Sequence, residues 1–376
     1  MNEDKASRYQ RLKRRAGLAS LAWAVGFLIL LLASGLTLRL RVLAEAVAPG
    51  APGTAVHWSA SVLLFVVLLS LLHEAGSLPI AFYGGFLLER HYGLSAERLP
   101  AWALDQVKAF VLALVLGGGA TLIIYGLIAQ SPDGWWLAAG AVFSLLIVGL
   151  ANLAPVAVLP LFYSVKPLER ESLRRRLLAL AERAGARVLG AYEWGLAEKT
   201  KKANAALVGL GGTRRILVSD TMLAEYSEDE IEVVLAHELA HHVHGDIWKS
   251  IVFESALILA GFYVSARALA GLSSAAGLRD VADIAGLPLL LLAAGAVSVI
   301  MQPLAHAMSR AFERSADRFA IRLTKNPAAF ISAMKRLGAH NLAEENPSTI
   351  VQWLFYSHPP MRERIAAAQS GYEDLP

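Results

Sequence analysis

The stretch HELAHHVHGDIWKSIVFESALILAGF, residues 237–262, joins two sequences of opposite character. Its first ten residues hold four histidines and two acids, whereas the residues from 247 onward are almost all apolar. Such a stretch predicts a chemically active helix that is followed almost at once by a membrane-spanning one. What this helix acts on depends on the sequence on either side of it.

The composition of the chain is typical of a membrane protein. Of its 376 residues, 56% are hydrophobic and 18% are charged, compared with roughly 45–50% and about 25% in soluble proteins. The net charge of +4 is too small to indicate nucleic-acid binding, so no nucleic-acid partner is expected. The chain has no cysteine, which excludes disulfides, thiol catalysis and cysteine-ligated zinc. The basic N-terminus precedes an apolar run without a clear cleavage site, which predicts a retained anchor.

Apolar stretches long enough to cross a hydrocarbon core, which takes roughly 20 residues of helix, predict about six transmembrane helices. They lie near residues 17–38, 58–80, 107–129, 135–162, 247–270 and 284–306. Lys and Arg are concentrated before the first stretch and after the fourth, while the loops near 130–134 and 271–283 hold none and one. Because cytoplasmic loops carry the excess of these residues, both termini are predicted to be cytoplasmic.

These boundaries divide the chain into four parts. Residues 1–165 form a membrane region with four spans, and residues 247–306 form a membrane hairpin with two. Residues 166–246 and 307–376 are predicted to be cytoplasmic and to form one domain that the hairpin interrupts. We therefore expect a mainly α membrane protein with an α+β domain at one face.

The first cytoplasmic part has the patterns of a mixed α+β fold. Residues 166–184 are amphipathic and predict a helix, and three short segments predict strands at 187–194, 203–209 and 214–219. Ser227 followed three residues later by Glu230 is a capping box. This pair predicts the start of the helix that carries the histidines.

His237 and His241 are four residues apart and therefore project from one face of that helix. Two imidazoles in this arrangement can share one Zn²⁺ ion. Glu238 lies next to the first histidine and is rotated about the helix axis, which suits a general base rather than a ligand. The alternative is a polar helix face with surface histidines, but the capping box and the number of histidines favour zinc.

A catalytic zinc site needs a third protein ligand. His244 lies about 10 Å along the helix from His237, too far for one ion to bridge easily, and His242 points to another face. Glu313 and Asp317 are four residues apart in SRAFERSADRFA, on the cytoplasmic extension of the sixth span. They are either ligands or members of a salt-bridged helix face, and their spacing alone leaves this open.

Three further titratable residues lie within the predicted spans. His73 and Glu74 begin a His-Glu pair, but position 77 is a serine, so no second metal ligand follows. We expect these two residues, and Glu254 in the fifth span, to face the interior of the helix bundle. Charged groups at that depth often mark a functional cavity.

With these pieces placed, the chain resembles the type I CAAX prenyl proteases, which are integral-membrane zinc metallopeptidases and include the prelamin A protease. The segments that carry the resemblance occur in the family's order. They are LPIAFYGGFLLERHYGL (78–94), LAPVAVLPLFYSVKPLE (153–169), NAALVGLGGTRRILVSDTML (204–223), AHELAHHVHGD (236–246), SRAFERSAD (309–317) and YSHPPMRERI (356–365).

This resemblance implies a role for each matching residue. His237, His241 and Glu313 would bind one Zn²⁺ ion per chain, with Glu238 as the base. Asp317 would orient a ligand histidine, and His358 and Arg364 would line the site, one of them contacting the tetrahedral intermediate. Asn204 and Ala205 would lie on a strand that a peptide substrate joins by β-augmentation. The implied fold is a gluzincin-like metallopeptidase domain attached to a membrane bundle.

The sequence differs from the family in two places. The eukaryotic members resemble a seven-span design, and this chain lacks the first span; its strand also reads Asn-Ala-Ala where an aromatic residue commonly follows Asn-Ala. The composition suggests a bacterial chain, which predicts a multi-pass protein of the cytoplasmic membrane. Membrane-attached peptides or proteins are the expected substrates, and the lipid bilayer is the other expected partner.

Other functions are compatible with parts of this pattern. An HtpX-like quality-control protease shares the zinc helix and the glutamate segment but has fewer spans. An intramembrane site-2-type protease is disfavoured because residues 225–246 are too polar to lie in lipid. A transporter or receptor with a structural zinc site would need four protein ligands.

Overall fold

The computed structural model describes residues 4–153, 157–209 and 211–370, and helices dominate it. Six helices within these residues are long and apolar enough to cross a membrane, and they follow the order predicted from the sequence. They are Lys5–Ala33, Ala55–His91, Leu99–Gln130, Trp135–Leu153, Asp246–Leu272 and Ile284–Thr324. The prediction of a six-span, mainly α membrane protein is therefore confirmed.

The first span, helix α1 (Lys5–Ala33), starts earlier than its apolar stretch and ends at a break. Gly35 has a φ of 67°, a left-handed conformation that glycine adopts at no steric cost. Helix α2 (Leu36–Val47) follows this break and packs on the next span. The basic part of α1, which the charge count treated as a tail, is helical from Lys5 onward.

The second span consists of three continuous pieces. Helix α3 (Ala55–Ala81) passes into a π-helical turn at Phe82–Leu87 and then into α4 (Leu88–His91). The π-helical turn is the FYGGFL segment, and such turns are frequent at functional sites. The membrane region then continues through α5 (Leu99–Gln130), α6 (Trp135–Leu153) and the short α7 (Leu159–Phe162).

A four-stranded sheet forms the β part of the second region. Its strands are β1 (Val165–Pro167), β2 (Ala191–Trp194), β3 (Ala205–Val208) and β4 (Arg215–Ser219), in the order β1-β2-β4-β3. The pair β2–β4 is parallel and the other two pairs are antiparallel. The three predicted strands are confirmed, and β1 is an addition that the sequence analysis missed. Strand β3 lies at an edge of the sheet.

The histidine-bearing helix begins as the capping box predicts. Helix α10 (Glu228–Val243) follows Ser227, whose side chain accepts a hydrogen bond from the main-chain N–H of Glu230 at 3.2 Å. The Glu230 carboxylate accepts one in return from the main-chain N–H of Ser227 at 2.8 Å. The remaining helices of this region are α8 (Glu171–Arg183) and α9 (Asp220–Glu225).

Two long helices form the membrane hairpin that separates the two parts of the catalytic domain. Helix α11 (Asp246–Leu272) follows α10 after a turn at Gly245, whose φ is 69°. After a 3₁₀ turn at Ile284–Gly286, helix α12 (Leu287–Thr324) returns and continues far into the second part of the domain. Three shorter helices complete the fold: α13 (Pro327–His340), α14 (Thr349–Phe355) and α15 (Met361–Gln369).

The described residues form two main hydrophobic cores, and α12 contributes to both. The core of the catalytic domain includes Leu177 and Phe330 together with Ala320 of α12. The core of the membrane bundle includes Ile128 together with Leu290 of α12. The same helix therefore fixes the catalytic domain to the membrane region.

Candidate metal centre and active site

Three side chains from two helices converge where α10 packs against α12. His237 and His241 lie one turn apart on α10, and Glu313 faces them from α12. Nε2 of His237 is 3.3 Å from Oε2 of Glu313, and Nε2 of His241 is 3.4 Å from Oε1. One ligand atom from each residue lies within 4.8 Å of the other two, so the group could hold a metal ion.

The donor atoms of this group fit a zinc ion. Two ligand atoms about 2.0–2.1 Å from a tetrahedral ion are about 3.3 Å apart, which matches the separation of Glu313 from each imidazole. Oε2 of Glu313 is also buried and accepts no hydrogen bond from the described residues. A buried carboxylate oxygen normally has such a partner, and a bound cation would supply one.

Each imidazole is held from behind by a carboxylate. Nδ1 of His237 is 2.9 Å from Oδ1 of Asp317, and Nδ1 of His241 is 3.1 Å from Oδ2 of Asp246. A carboxylate on the far nitrogen fixes the ring orientation and tautomer of a metal-binding histidine. Asp317 is where the family resemblance implied. Asp246 was not recognised in the sequence, because it lies beyond the end of α10 and approaches His241 only through the turn at Gly245.

Arg364 holds one of these carboxylates in place. Its Nε and Nη2 atoms donate hydrogen bonds of 2.8 and 2.6 Å to the two oxygens of Asp317. Both side chains are buried, at 6% and 0% exposed, and a bidentate pair of this kind fixes geometry as well as charge. Arg364 also borders the cavity of the site, as expected. Its closest contacts, however, are to Asp317 and not to the open space.

The electrostatic environment of the imidazoles favours positive charge. Burial opposes protonation of His237, but the hydrogen bonds to Asp317 and Glu313 outweigh it and raise its pKa to about 9. Burial likewise opposes protonation of His241, and contacts with Glu313 and Asp246 raise its pKa. The potential that attracts a proton to this position also attracts a metal cation.

Glu238 faces a cavity of about 300 Å³ beside the three clustered residues. Burial is the main cause that raises the pKa of Glu238 above its usual range. His358 borders the same cavity with a largely exposed side chain, and its Nε2 lies 3.4 Å from Oε1 of Glu313. The structure thus brings Glu238 and His358 to one space, with an acceptor for a proton on one side and an imidazole N–H on the other.

Asn204 and Ala205 also border this cavity, at the start of the edge strand β3. The main-chain groups of Asn204 are bonded inward to Ser219, at 2.9 Å in both directions. Because bonded and non-bonded residues alternate along an antiparallel pair, the main-chain groups of Ala205 and Leu207 point to the open edge. A peptide that joins this sheet would therefore bond to Ala205 and Leu207, while Asn204 contributes its exposed side chain.

The segment that leads into β3 is tied to the membrane helices. Nζ of Lys202 is 3.0 Å from the carboxylate of Glu89, which is buried at the end of the second span. The same carboxylate is 2.6 Å from Nζ of Lys13 and accepts a hydrogen bond of 2.7 Å from the Tyr9 hydroxyl. Helix α1 and the second span therefore position the edge strand beside the catalytic residues.

The remaining histidines of the motif lie outside the cluster. Nδ1 of His244 is 3.3 Å from the hydroxyl of Ser315, and its ring packs on Phe319. His242 is not among the grouped donor atoms of the described residues. In the bundle, His73 and Glu74 border a separate cavity of about 390 Å³ between the spans. None of these residues reaches the catalytic cavity.

Comparison with known proteins identifies the family. The profile of peptidase family M48 matches residues 167–371, more than half of the chain. The chain belongs to peptidase family M48. Residues 2–164 match a second profile, that of the CAAX prenyl protease N-terminal region with five membrane helices. The predicted resemblance to the CAAX prenyl proteases is therefore confirmed.

Individual relatives agree with this assignment to M48. The chain is 31% identical to the uncharacterized metalloprotease YhfN of Bacillus subtilis over 81% of this chain and 72% of that protein. It is 26% identical to CAAX prenyl protease 1 of Saccharomyces cerevisiae over 81% of this chain and 71% of that one. The crystal structure of S. mikatae Ste24p has the same fold, with a TM-score of 0.86 at 22% identity over 97% of this chain and 88% of that one.

These findings establish the general activity of this M48 peptidase. It is a multi-span integral membrane metalloprotease, and its fold joins a membrane bundle to an M48 domain. A metal is implied by the family, and the described residues include one group suited to hold it.

Proposed function

We propose that this M48 peptidase is a zinc endopeptidase that cleaves membrane-attached peptides or proteins at the cytoplasmic membrane face. The observation that carries the proposal is the convergence of His237, His241 and Glu313 beside the cavity that Glu238 faces. Three protein ligands and an adjoining open space are typical of catalytic rather than structural zinc sites.

In this proposal His237, His241 and Glu313 hold one zinc ion, and Asp317 and Asp246 orient the two imidazoles. A zinc ion so held supplies Lewis acidity, which stabilises negative charge that develops on the scissile carbonyl oxygen. Glu238 accepts a proton from the attacking water and returns it to the leaving amine. His358 donates a hydrogen bond from Nε2 to the developing oxyanion, and Arg364 keeps Asp317 in place behind His237.

The test of this function combines metal removal with substitution. Full-length enzyme stripped by a chelator should lose hydrolysis of an internally quenched peptide and should regain it with Zn²⁺. Glu238→Gln should bind zinc but remain inactive under both conditions. Equal hydrolysis before and after chelation would contradict the proposed function.

The position of the site supports a preference for membrane-attached substrates. Asp246, which contacts His241, is the first residue of the fifth span, and Glu313 lies on the extension of the sixth. The site is therefore within about one helical turn of a membrane helix, and tethering raises the effective concentration of a substrate there. One peptide with and without a lipid anchor, assayed in bilayers, tests this idea. Equal kcat/KM for the two forms would contradict it.

The cytoplasmic orientation rests on the distribution of Lys and Arg. Arg41 is the main outer basic residue that argues against it, and it is buried and paired with Asp283. Reporters fused after residue 132 or 275 should be external, and those fused after residue 200 should be internal. An external reporter after residue 200 would overturn the orientation and with it the proposed bacterial inner-membrane topology.

A further inference from the structure

A second cavity adjoins the catalytic residues on the side that faces the membrane helices. Its volume is about 400 Å³, and it is separate from the cavity that contains His358. Glu238 borders both cavities, so the proposed base stands between them. The residues that matter here are Leu207, Glu238, His241, Ser250, Glu254 and Phe312.

The polar residues of this cavity lie along one face of α11. Asp246, Ser250 and Glu254 are spaced by four, which places them in a row on one side of the helix. Asp246 contacts His241 at the upper end of the row. At 1.5 Å per residue, Glu254 lies about 12 Å further along the helix. The cavity therefore extends from the metal centre toward the interior of the membrane bundle.

Glu254 is the unusual member of this row. Its side chain is exposed to the cavity, and it makes no hydrogen bond or ion pair with any described residue. By comparison, Asp246 at the start of the same helix is paired with Lys249 at 3.0 Å. A carboxylate more than one turn inside a membrane helix is costly without a partner and usually serves a function there. The fold supplies no cation for Glu254 within the described residues.

The edge strand connects the two cavities. Ala205 borders the first cavity and Leu207 borders the second. These residues are two apart on β3, so they share one face of the strand and lie about 6.6 Å apart. They are also the residues whose main-chain groups point to the open edge. A peptide bonded along β3 would thus place neighbouring side chains in the two cavities, with its scissile bond beside Glu238.

We propose that the second cavity is a specificity subsite for a lysine or arginine side chain next to the scissile bond of the substrate, with Glu254 as its ion-pair partner. The proposal rests on the endopeptidase function proposed above. The apolar walls formed by Leu207, Ile251 and Phe312 suit the methylene stem of such a side chain. Its cationic end then reaches the carboxylate that the fold leaves unpaired. The enzyme therefore selects a basic residue on one side of the cleavage position.

The experiment uses the full-length, zinc-loaded enzyme and a series of internally quenched peptides. Starting from a peptide that the enzyme cleaves, lysine, norleucine or glutamate is placed singly at each of the two residues on either side of the scissile bond. The measured quantity is the ratio of kcat/KM for lysine to that for norleucine, with the cleavage position verified by mass spectrometry. This ratio cancels changes that affect all substrates equally.

At one of the four positions the wild-type ratio should be roughly tenfold in favour of lysine. Glu254→Gln should bring that ratio close to one, and Glu254→Lys should reverse the preference toward glutamate. Glu74→Gln is the matched control, because Glu74 is a carboxylate of another span that borders a different cavity. It should keep the wild-type ratio, as should the other three positions in every variant.

Two results would overturn the subsite. One is a wild-type ratio near one at all four positions, and the other is a preference that survives in a folded, zinc-containing Glu254→Gln enzyme. Both leave peptide hydrolysis intact and so differ from failure of the proposed function, in which the wild-type enzyme cleaves none of the peptides.

Discussion

Glu313 and Asp283 are buried carboxylates of nearly equal exposure, 5% and 6%, at opposite ends of the membrane hairpin. Oδ1 of Asp283 accepts a hydrogen bond of 3.0 Å from the main-chain N–H of Ala285, and Oδ2 accepts one of 2.9 Å from that of Arg279. The Arg41 guanidinium adds an ion pair. Oε2 of Glu313, by contrast, accepts no hydrogen bond from the described residues.

The difference separates a structural charge from a functional one. A carboxylate that only holds helices together is stable when protein donors occupy both of its oxygens. A metal ligand must keep an oxygen available for an ion that the fold does not supply. Burial alone therefore does not identify the site, whereas the hydrogen-bond partners of each oxygen do. The predictions that follow test this distinction through its effects on catalysis.

The largest effect is expected at the proposed base. Glu238→Gln should keep one zinc per chain and lower kcat/KM by roughly 10²–10⁴-fold, because an amide cannot accept the proton of the attacking water. Peptide hydrolysis and metal analysis of the same preparation measure both quantities. Glu228→Gln, at the first turn of the same helix, is the control and should retain activity. Normal turnover by Glu238→Gln would mean that the proton goes elsewhere.

A smaller loss is expected at the proposed oxyanion donor. His358→Ala should lower kcat by roughly 10²–10³-fold while zinc content stays the same. His358→Gln should recover part of this loss, because an amide N–H can also donate a hydrogen bond. His244→Ala removes an imidazole that contacts Ser315 and should have little effect. A change in KM alone for His358→Ala would indicate a binding role instead.

Substitution behind the metal centre should weaken zinc binding without abolishing it. Asp246→Asn should lower zinc affinity by roughly 10–100-fold, because it removes the charge that orients His241. Competition with a chromogenic chelator measures this affinity. Lys249→Met removes the other ion-pair partner of Asp246 but leaves its contact with His241, so zinc affinity should change much less. Equal losses in the two variants would argue against an orienting role.

The smallest effect on catalysis is expected at the opposite end of the hairpin. Arg41→Met leaves Asp283 buried without its cation and should lower the free energy of unfolding by about 3–5 kcal/mol. Zinc affinity and kcat of the folded enzyme should not change. Arg279→Met breaks a more exposed pair with Glu45 and should cost about 0–1 kcal/mol. Denaturation in detergent measures both, and loss of zinc from Arg41→Met would contradict the distinction.

The sequence predicted those features that depend on local spacing. The common face of His237 and His241 follows from helical geometry, and the start of α10 follows from Ser227 and Glu230. The six spans follow from the length of apolar stretches. In each case the deciding residues lie within one helix, so no knowledge of the packing between helices was needed.

The features that depend on packing between elements were not predictable in this way. Glu313 and Asp317 share one face of α12, and their spacing left open which of them approaches the metal. Only the packing of α10 on α12 directs Glu313 to the Nε2 atoms and Asp317 to Nδ1 of His237. Asp246 was missed because a turn separates it from α10, and strand β1 was missed because three residues carry too little pattern.

Zinc content is the most direct measure of the central claim that Glu313 is a metal ligand and Asp283 is not. Wild type, Glu313→Ala and Asp283→Ala would be purified in detergent under identical conditions and analysed for zinc per chain. The account predicts about one zinc for wild type and Asp283→Ala, and far less than one for Glu313→Ala, because two histidines alone do not hold a catalytic ion firmly. A full equivalent of zinc in Glu313→Ala would contradict the claim.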